Sequence, residues 1–421
     1  MTNAAVSDHR PIHLFEAFGV ELEYMIVGRE TLDVLPVTDE VLRQVAGEYV
    51  SDVEFGDVSW SNELVLHVIE IKTGGPAPRL APLPDSFQRS VRKINELLLP
   101  LAGRLMPTAM HPWMDPYREM RLWPHEYSPV YEAYDRIFDC RGHGWANLQS
   151  VHLNLPFSGN DEFGRLHAAI RLLLPIMPAL AASSPVIDGR LTGLMDSRLE
   201  VYRTNSQKIP SLTAAVIPEP VYTRNDYQRA IFDRIYADIA PFDPAGTLQD
   251  EFLNSRGAIA RFGRGTIEIR VLDVQECPAA DVAVCAAIVG ALQALVAERW
   301  TAWDEQKPFD TARLASILRA VIRDADETVI ADADYLRQLG FSALRPTAGE
   351  VWQHLVAATQ PNLAESGMPW AEPLDSILAH GPLARRITRC LAGDTSPACL
   401  AAVYRELCDC LAMGRMFLGC A

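Results

Sequence analysis

In the stretch FGVELEY, Glu21 and Glu23 stand two residues apart, a spacing that puts both carboxylates on one face of an extended strand. In SNELVLHVIEIK, Glu63 and Glu70 are seven apart. An odd separation sends them to opposite faces of a flat strand, so they can share a site only across a bulge or a break. In QSVHLNL, Val151, Leu153 and Leu155 face one way while Ser150, His152 and Asn154 face the other. In GTIEIRVLD the apolar side is Ile267, Ile269 and Val271, and the polar side is Thr266, Glu268 and Arg270. Each group alone has an ordinary explanation: a solvated strand face, a partnered histidine, an ion pair. Taken as a set, Glu21, Glu23, Glu63, Glu70, His152 and Glu268 are a different matter. Carboxylates gathered on one inner face repel and raise each other's pKa unless a cation sits among them. Oxygen ligands suit Mg²⁺, and one imidazole among them is also compatible with Mn²⁺. Arg270, two residues past Glu268, would then reach a phosphoryl oxygen, which points to ATP.

These residues need strands to carry them. Partial or strict alternation predicts strands around Glu21, over 63–72, over 149–155 and over 265–273. The Pro- and Gly-rich segment 74–85 excludes regular structure and leads into a helix from Ser86 to Leu99, with Asp85 as its N-cap. Further helices are expected at 161–183, at 279–299 and through much of the chain after Asp310. This irregular order of strands and helices predicts an α+β fold with a largely antiparallel sheet. The amphipathic helices after Trp300 read as a helical layer on the sheet or an oligomer contact.

The chain has 421 residues, 49% of them apolar and 22% charged, with a formal charge of −16. Such a composition excludes disordered and collagen-like classes. So acidic a surface argues against nucleic acid or a membrane as the main partner. The apolar stretches around 172–187 and 282–297 are broken by Pro175, Pro178 and Gln293, short of the ~18 uninterrupted residues of a span. The first residues show no secretory signal pattern. Of eight cysteines, Cys390, Cys399, Cys408, Cys410 and Cys420 crowd the end without the spacing of a disulfide scaffold, which predicts a reducing cytoplasmic setting. Cys408 and Cys410, with Cys399 nearby, fit no standard zinc pattern, and the expectation is buried helix cysteines.

In this order, FGVELEY, SNELVLHVIEIKTG, TAMHPW, QSVHLNLPF, ALAASSPVIDGRLTGLMDSR and GRGTIEIRVLD resemble the glutamate-cysteine ligase type 2 family of ATP-dependent carboxylate-amine ligases. The resemblance implies a curved, largely antiparallel sheet of glutamine synthetase-like fold, backed by helices, with about two or three Mg²⁺ or Mn²⁺ ions around the phosphates of ATP. Carried over by position, Glu21, Glu23, Glu63, Glu70, His152 and Glu268 look like metal ligands and Arg270 like the γ-phosphate contact. Arg198 resembles a substrate- or phosphate-contacting arginine, Arg203 is a further cofactor-binding candidate, and His111 lies in the counterpart of a segment near the site. The implied organisation is a catalytic core over 1–300 and a helical C-terminal region over 301–421. The implied reaction activates the γ-carboxylate of glutamate, or a similar acid, as an acyl phosphate and passes it to the amine of cysteine or a related amino compound. A guanidino-type kinase or an amide hydrolase on the same scaffold is the nearest alternative, and a non-catalytic binding protein a more remote one. The expected partners are these small molecules, with a homo-oligomer as a possibility and neither nucleic acid nor membrane.

Overall fold

The computed structural model describes residues 10–360 and 368–419. Its strands are β1 (Gly19–Gly28), β2 (Asp52–Phe55), β3 (Val58–Asn62), β4 (Val68–Thr73), β5 (Gly103–Met106), β6 (Ser150–Pro156), β7 (Val186–Ile187), β8 (Arg190–Leu191), β9 (Ala258–Arg261) and β10 (Thr266–Asp273). All but the small β7–β8 hairpin join one antiparallel sheet in the order β2-β3-β4-β1-β6-β10-β9, with β5 pairing the far end of β1. The α+β expectation holds, and β1 is the central strand to which both halves of the sheet are attached.

Period-two alternation decides which face is covered. Val20, Leu22 and Tyr24 of β1, Ile69 and Ile71 of β4, and Leu153 and Leu155 of β6 are fully buried in the main core. The helices Leu83–Leu98, Gly159–Leu173 and Pro278–Val296 cover that face. The last of these is apolar on nearly every side. By length and composition it could cross a membrane, but 78% of its most apolar window is buried inside the fold, and it packs against the other two helices and Ala348–Thr359. A helix apolar all round and surrounded by protein is a core helix. The region after Trp300 is helical, and Leu314, Trp352, Leu355 and Leu374 enter the same core as the sheet.

Several local expectations give way. The stretch 63–72 is not one strand: β3 ends at Asn62, β4 begins at Val68, and Glu63 sits in the connection. Asp85 is not an N-cap but lies in the first turn of Leu83–Leu98, because Pro82 and Pro84 start the helix earlier than Ser86. The expected helix 161–183 stops at Leu173 and resumes as Pro178–Ala181, since Pro175 and Pro178 interrupt the i→i−4 ladder. The predicted strict alternation through 265–273 is interrupted in β10, where the register against β6 shifts between Ile269 and Leu272.

Cys408 and Cys410 are buried on the helix Pro397–Met413, and burial pushes each thiol up to about 12, so they are packing residues there. With Cys140, Cys277, Cys285 and Cys399 they are free. Cys390 is disulfide-bonded, which departs from the expected reducing setting. Cys420, like the first nine residues, lies outside the described residues.

Candidate active site

The opposite face of the sheet gathers the acidic residues, with Glu23, Glu70 and Glu268 buried there. Antiparallel register sets Glu23 of β1 directly opposite Glu70 of β4, and Glu21 opposite Lys72 on one side and His152 of β6 on the other. Like charges directly opposed across strands destabilise a sheet unless something neutralises them. Glu63 completes the cluster from the β3–β4 connection. That break lets a residue seven positions from Glu70 face it, which a continuous strand forbids.

Two overlapping donor sets result. One is Glu21, Glu70 and His152 and the other is Glu23, Glu63 and Glu70, and within each set the potential ligand atoms lie within 4.8 Å of one another. Carboxylate oxygens with a single imidazole nitrogen match the donor preferences of Mg²⁺ and Mn²⁺, so the residues present fit such ions. The side chains of the cluster also bond to one another and to their neighbours. His152 Nδ1 is 2.9 Å from Glu21 Oε2, Asn154 donates to Glu21 Oε1 at 3.0 Å, and the Ser150 N–H donates to Glu23 Oε2 at 2.7 Å. Lys72 Nζ lies 2.9 Å from Glu70 Oε1 and 3.2 Å from Asp52.

The titration of the groups shows the crowding. Burial first, then Glu23 and Glu70, push the Glu63 carboxyl well above its ordinary 4.5. Burial and then Glu21 bring Glu70 up to about 7. His152 rises to about 9: burial opposes its charge, but Glu21, Glu23 and Glu268 outweigh it. Glu268 goes the other way, down to about 2, because Arg270, His152 and Arg261 outweigh its burial. The signs predict a pH profile for the metal-free protein. Glu70 holds its proton more tightly when folded, so its contribution to stability falls as pH rises from 4.5 toward 7; the contribution of His152 is full below 6.5 and is lost as pH rises through about 9. Glu268 contributes above 4.5 and loses that contribution as pH falls toward 2. The melting temperature in chelator is therefore expected to peak near about pH 5 and to decline toward about pH 9, with added Mg²⁺ blunting the decline. A rise over that range in chelator would contradict the facing carboxylates.

Glu268 belongs to neither donor set. Its Oε1 accepts from Arg270 Nη2 at 2.5 Å and its Oε2 from Arg261 Nη1 at 3.1 Å, which makes it the anchor of two arginines on the margin of the cluster. The irregular register of β10 falls at Arg270, and a bulge of this kind re-aims a side chain. Arg198 is buried rather than on the surface. Its Nε donates to Asp273 Oδ1 at 2.5 Å, its Nη atoms lie 3.3 Å from the Arg270 carbonyl, and Asp273 Oδ2 is fixed by the Ser183 N–H and the Ser184 hydroxyl, each at 2.8 Å. Asp196 caps the same helix, Ser197–Asn205.

Two kinds of cavity flank the acidic row. A small one of about 210 Å³ contains Glu23, Glu63, His152, Arg198 and Arg270, with aromatic walls that include Tyr134 and Trp145. A larger one of about 650 Å³ reaches Glu21 and is rimmed by Phe18, Pro76 and Phe157. Arg203 does not join them: it pairs with Glu200 on its own helix and lines none of these cavities. His111 is also apart, its ring buried with Nε2 at 2.7 Å from the Leu32 carbonyl and its pKa lowered by burial to about 4.

A family model for glutamate-cysteine ligase family 2 matches residues 17–340. The chain belongs to that family. The resemblance read from the ordered motifs is borne out, and ATP-dependent ligation of a carboxylate to an amine is the chemistry that membership brings. An uncharacterized protein of Archaeoglobus fulgidus is 38% identical over 281 residues, 66% of this chain and 75% of that protein. A protein of Corynebacterium glutamicum provisionally named glutamate–cysteine ligase 2 is 28% identical over 265 residues, and the match spans 61% of each chain. Among solved structures, the complex between the prokaryotic ubiquitin-like protein Pup and its ligase PafA overlays 92% of this chain and 72% of that one at 14% identity, with a TM-score of 0.45.

Within this family member, sequence reasoning missed Lys72 and Asp273. The signal for Lys72 was legible: it stands two residues from Glu70 and so shares its face. Asp273 carried no such signal, because what distinguishes it is burial against a helix 75 residues away in sequence.

Proposed function

We infer that this chain joins the γ-carboxylate of glutamate, or of a similar acid, to the amine of cysteine or a related amino compound, converting ATP to ADP and phosphate. The observation that carries this reading is the pair of overlapping donor sets sharing Glu70, with a cavity on either side. A volume of about 650 Å³ with an apolar rim suits a nucleoside. The smaller cavity, where Arg198 and Arg270 face Glu23 and Glu63, suits a zwitterionic acid substrate.

In the first step a carboxylate oxygen attacks the γ-phosphorus and ADP leaves; in the second the amine nitrogen attacks the acyl carbon and phosphate leaves. Bound divalent ions supply charge neutralisation at the phosphoryl oxygens. Glu21, Glu23, Glu63, Glu70 and His152 are assigned to hold them. Arg270 is assigned to the transferring phosphoryl group, and Glu268 to keeping its guanidinium extended along β10. Arg198, immobilised by Asp273, is assigned to an anionic group of the acid. Arg203, engaged with Glu200, drops out of the set. No nucleophilic side chain is required, because positioning and charge neutralisation are what phosphoryl transfer demands.

The test follows one oxygen atom. With the substrate carboxylate labelled with heavy oxygen, one label is expected in the released phosphate, since that oxygen bridges carbon and phosphorus in the acyl phosphate. Mass measurement of phosphate and amide decides the matter, and unlabelled phosphate beside genuine amide product would rule the pathway out.

A further inference from the structure

The 650 Å³ cavity and a third cavity of about 630 Å³ that contains Glu63, Glu70 and Lys72 share a single lining residue, Arg264. Arg264 sits at the tip of the β9–β10 hairpin, between Gly263 and Gly265, and its N–H closes the turn on the Arg261 carbonyl at 2.9 Å. Gly265 has φ +66, a conformation that a side chain would strain, so the turn that presents Arg264 depends on that glycine.

The cationic side chains near Arg264 are engaged. Arg10 pairs with Glu16, Lys72 with Glu70 and Asp52, Arg261 with Glu268 and Glu251, and Arg270 with Glu268. Among the described residues the Arg264 side chain has no ion pair and no hydrogen bond, although the chain carries a net charge of −16 and offers many carboxylates. An unspent guanidinium at the junction of two cavities, beside an acidic row, is placed for an anion that runs from one cavity to the other. On the nucleotide reading above, on which this inference rests, that anion is the triphosphate, with its nucleoside in the 650 Å³ cavity and its chain passing Glu21 toward Glu70.

The geometry points to Arg264 as a polyphosphate clamp. It would hold the nucleotide from the hairpin side, across from the carboxylates of the sheet that would hold divalent ions. Because both ends of the contact are charged and the guanidinium donates in a fork, the bond is of the stronger kind. As an exposed tip residue it adds to nucleotide affinity and leaves the fold untouched.

The test is equilibrium binding measured by calorimetry in Mg²⁺, with wild type, Arg264→Ala and Arg264→Lys, against ATP and adenosine. Arg264→Ala is expected to weaken ATP about tenfold or more, to leave adenosine binding and the melting temperature unchanged, and to be partly rescued in Arg264→Lys. ATP affinity unchanged in Arg264→Ala, with wild type binding ATP normally, overturns the clamp and leaves the ligase reading standing. An equal loss for ATP and adenosine also overturns it, making Arg264 a contact to the nucleoside. If the alanine variant binds ATP normally but requires more of the acid substrate, the anion held is the substrate carboxylate and the polyphosphate assignment fails. Wild type that binds no ATP in Mg²⁺ brings down the nucleotide reading itself, and the clamp with it.

Discussion

Replacing Glu63 by glutamine is expected to raise the melting temperature of the metal-free protein while weakening its affinity for Mn²⁺ by about a hundredfold. The two effects share one cause. The Glu63 carboxyl is held well above its ordinary pKa by burial and by Glu23 and Glu70, so at neutral pH its charge is a cost to the fold that only a cation offsets. Glutamine keeps the shape and removes the repulsion, and with it one anionic ligand of the Glu23–Glu63–Glu70 set. Turnover at moderate Mg²⁺ should fall with the affinity. Glu63 is a better probe than Glu268, whose removal would leave Arg261 and Arg270 without their shared carboxylate. Titration of Mn²⁺ by its electron paramagnetic resonance signal, alongside thermal melting in chelator, reads both effects. Unchanged Mn²⁺ affinity would remove Glu63 from the ligand set, and an unchanged melting temperature would show that its carboxylate does not face the other two.

Arg270→Lys should reduce turnover about a hundredfold, with ATP affinity changed far less. Arg270 stands in the small cavity with Glu23, Glu63 and His152, and its Nε and Nη2 both donate to Glu268 Oε1. A guanidinium anchored on one side still presents donors on the other, whereas an ammonium is a shorter point charge that Glu268 would absorb. Contacts to the transferring group tighten as charge spreads over its equatorial oxygens, so the loss belongs to the transition state, typically ~3 kcal/mol for one such donor. If the Glu268–Arg270 pair were only structural, lysine would keep near-normal turnover and the melting temperature would drop. Turnover, ATP affinity and melting temperature measured on this one variant separate the outcomes.

Much of this site was legible because strand geometry is a local rule. Alternation in FGVELEY and QSVHLNL put Glu21, Glu23 and His152 on the polar face, and the sheet has them there, with Leu22, Tyr24 and Leu153 fully buried opposite. Glu63 and Glu70 could not be resolved in that way. A run of β-branched residues reads the same with or without a turn inside it, and the interruption between Asn62 and Val68 alone lets both carboxylates face one site. Helix ends near prolines are poorly legible for a related reason. Pro82 and Pro84 are tolerated at the start of a helix and place it ahead of Ser86, while the helix Gly159–Leu173 stops before Pro175 and a new one begins at Pro178, although the apolar pattern runs on through both.

By itself the sequence determined the residue types, their faces and their order along the chain, and these were enough for the family and for expecting a hard divalent cation rather than a thiolate-bound one. Tertiary structure alone decided who meets whom. It set Glu23 against Glu70 through the antiparallel register of β1 and β4, placed Glu268 outside the two donor sets with its oxygens on Arg261 and Arg270, buried Arg198 against Asp273, and left Arg264 without an ion pair among the described residues, between two cavities. The physical reason is range. Strand faces follow from a two-residue period carried by each segment, whereas ion pairs and shared ligands depend on distances of a few ångströms between segments that only sheet register and helix packing bring together.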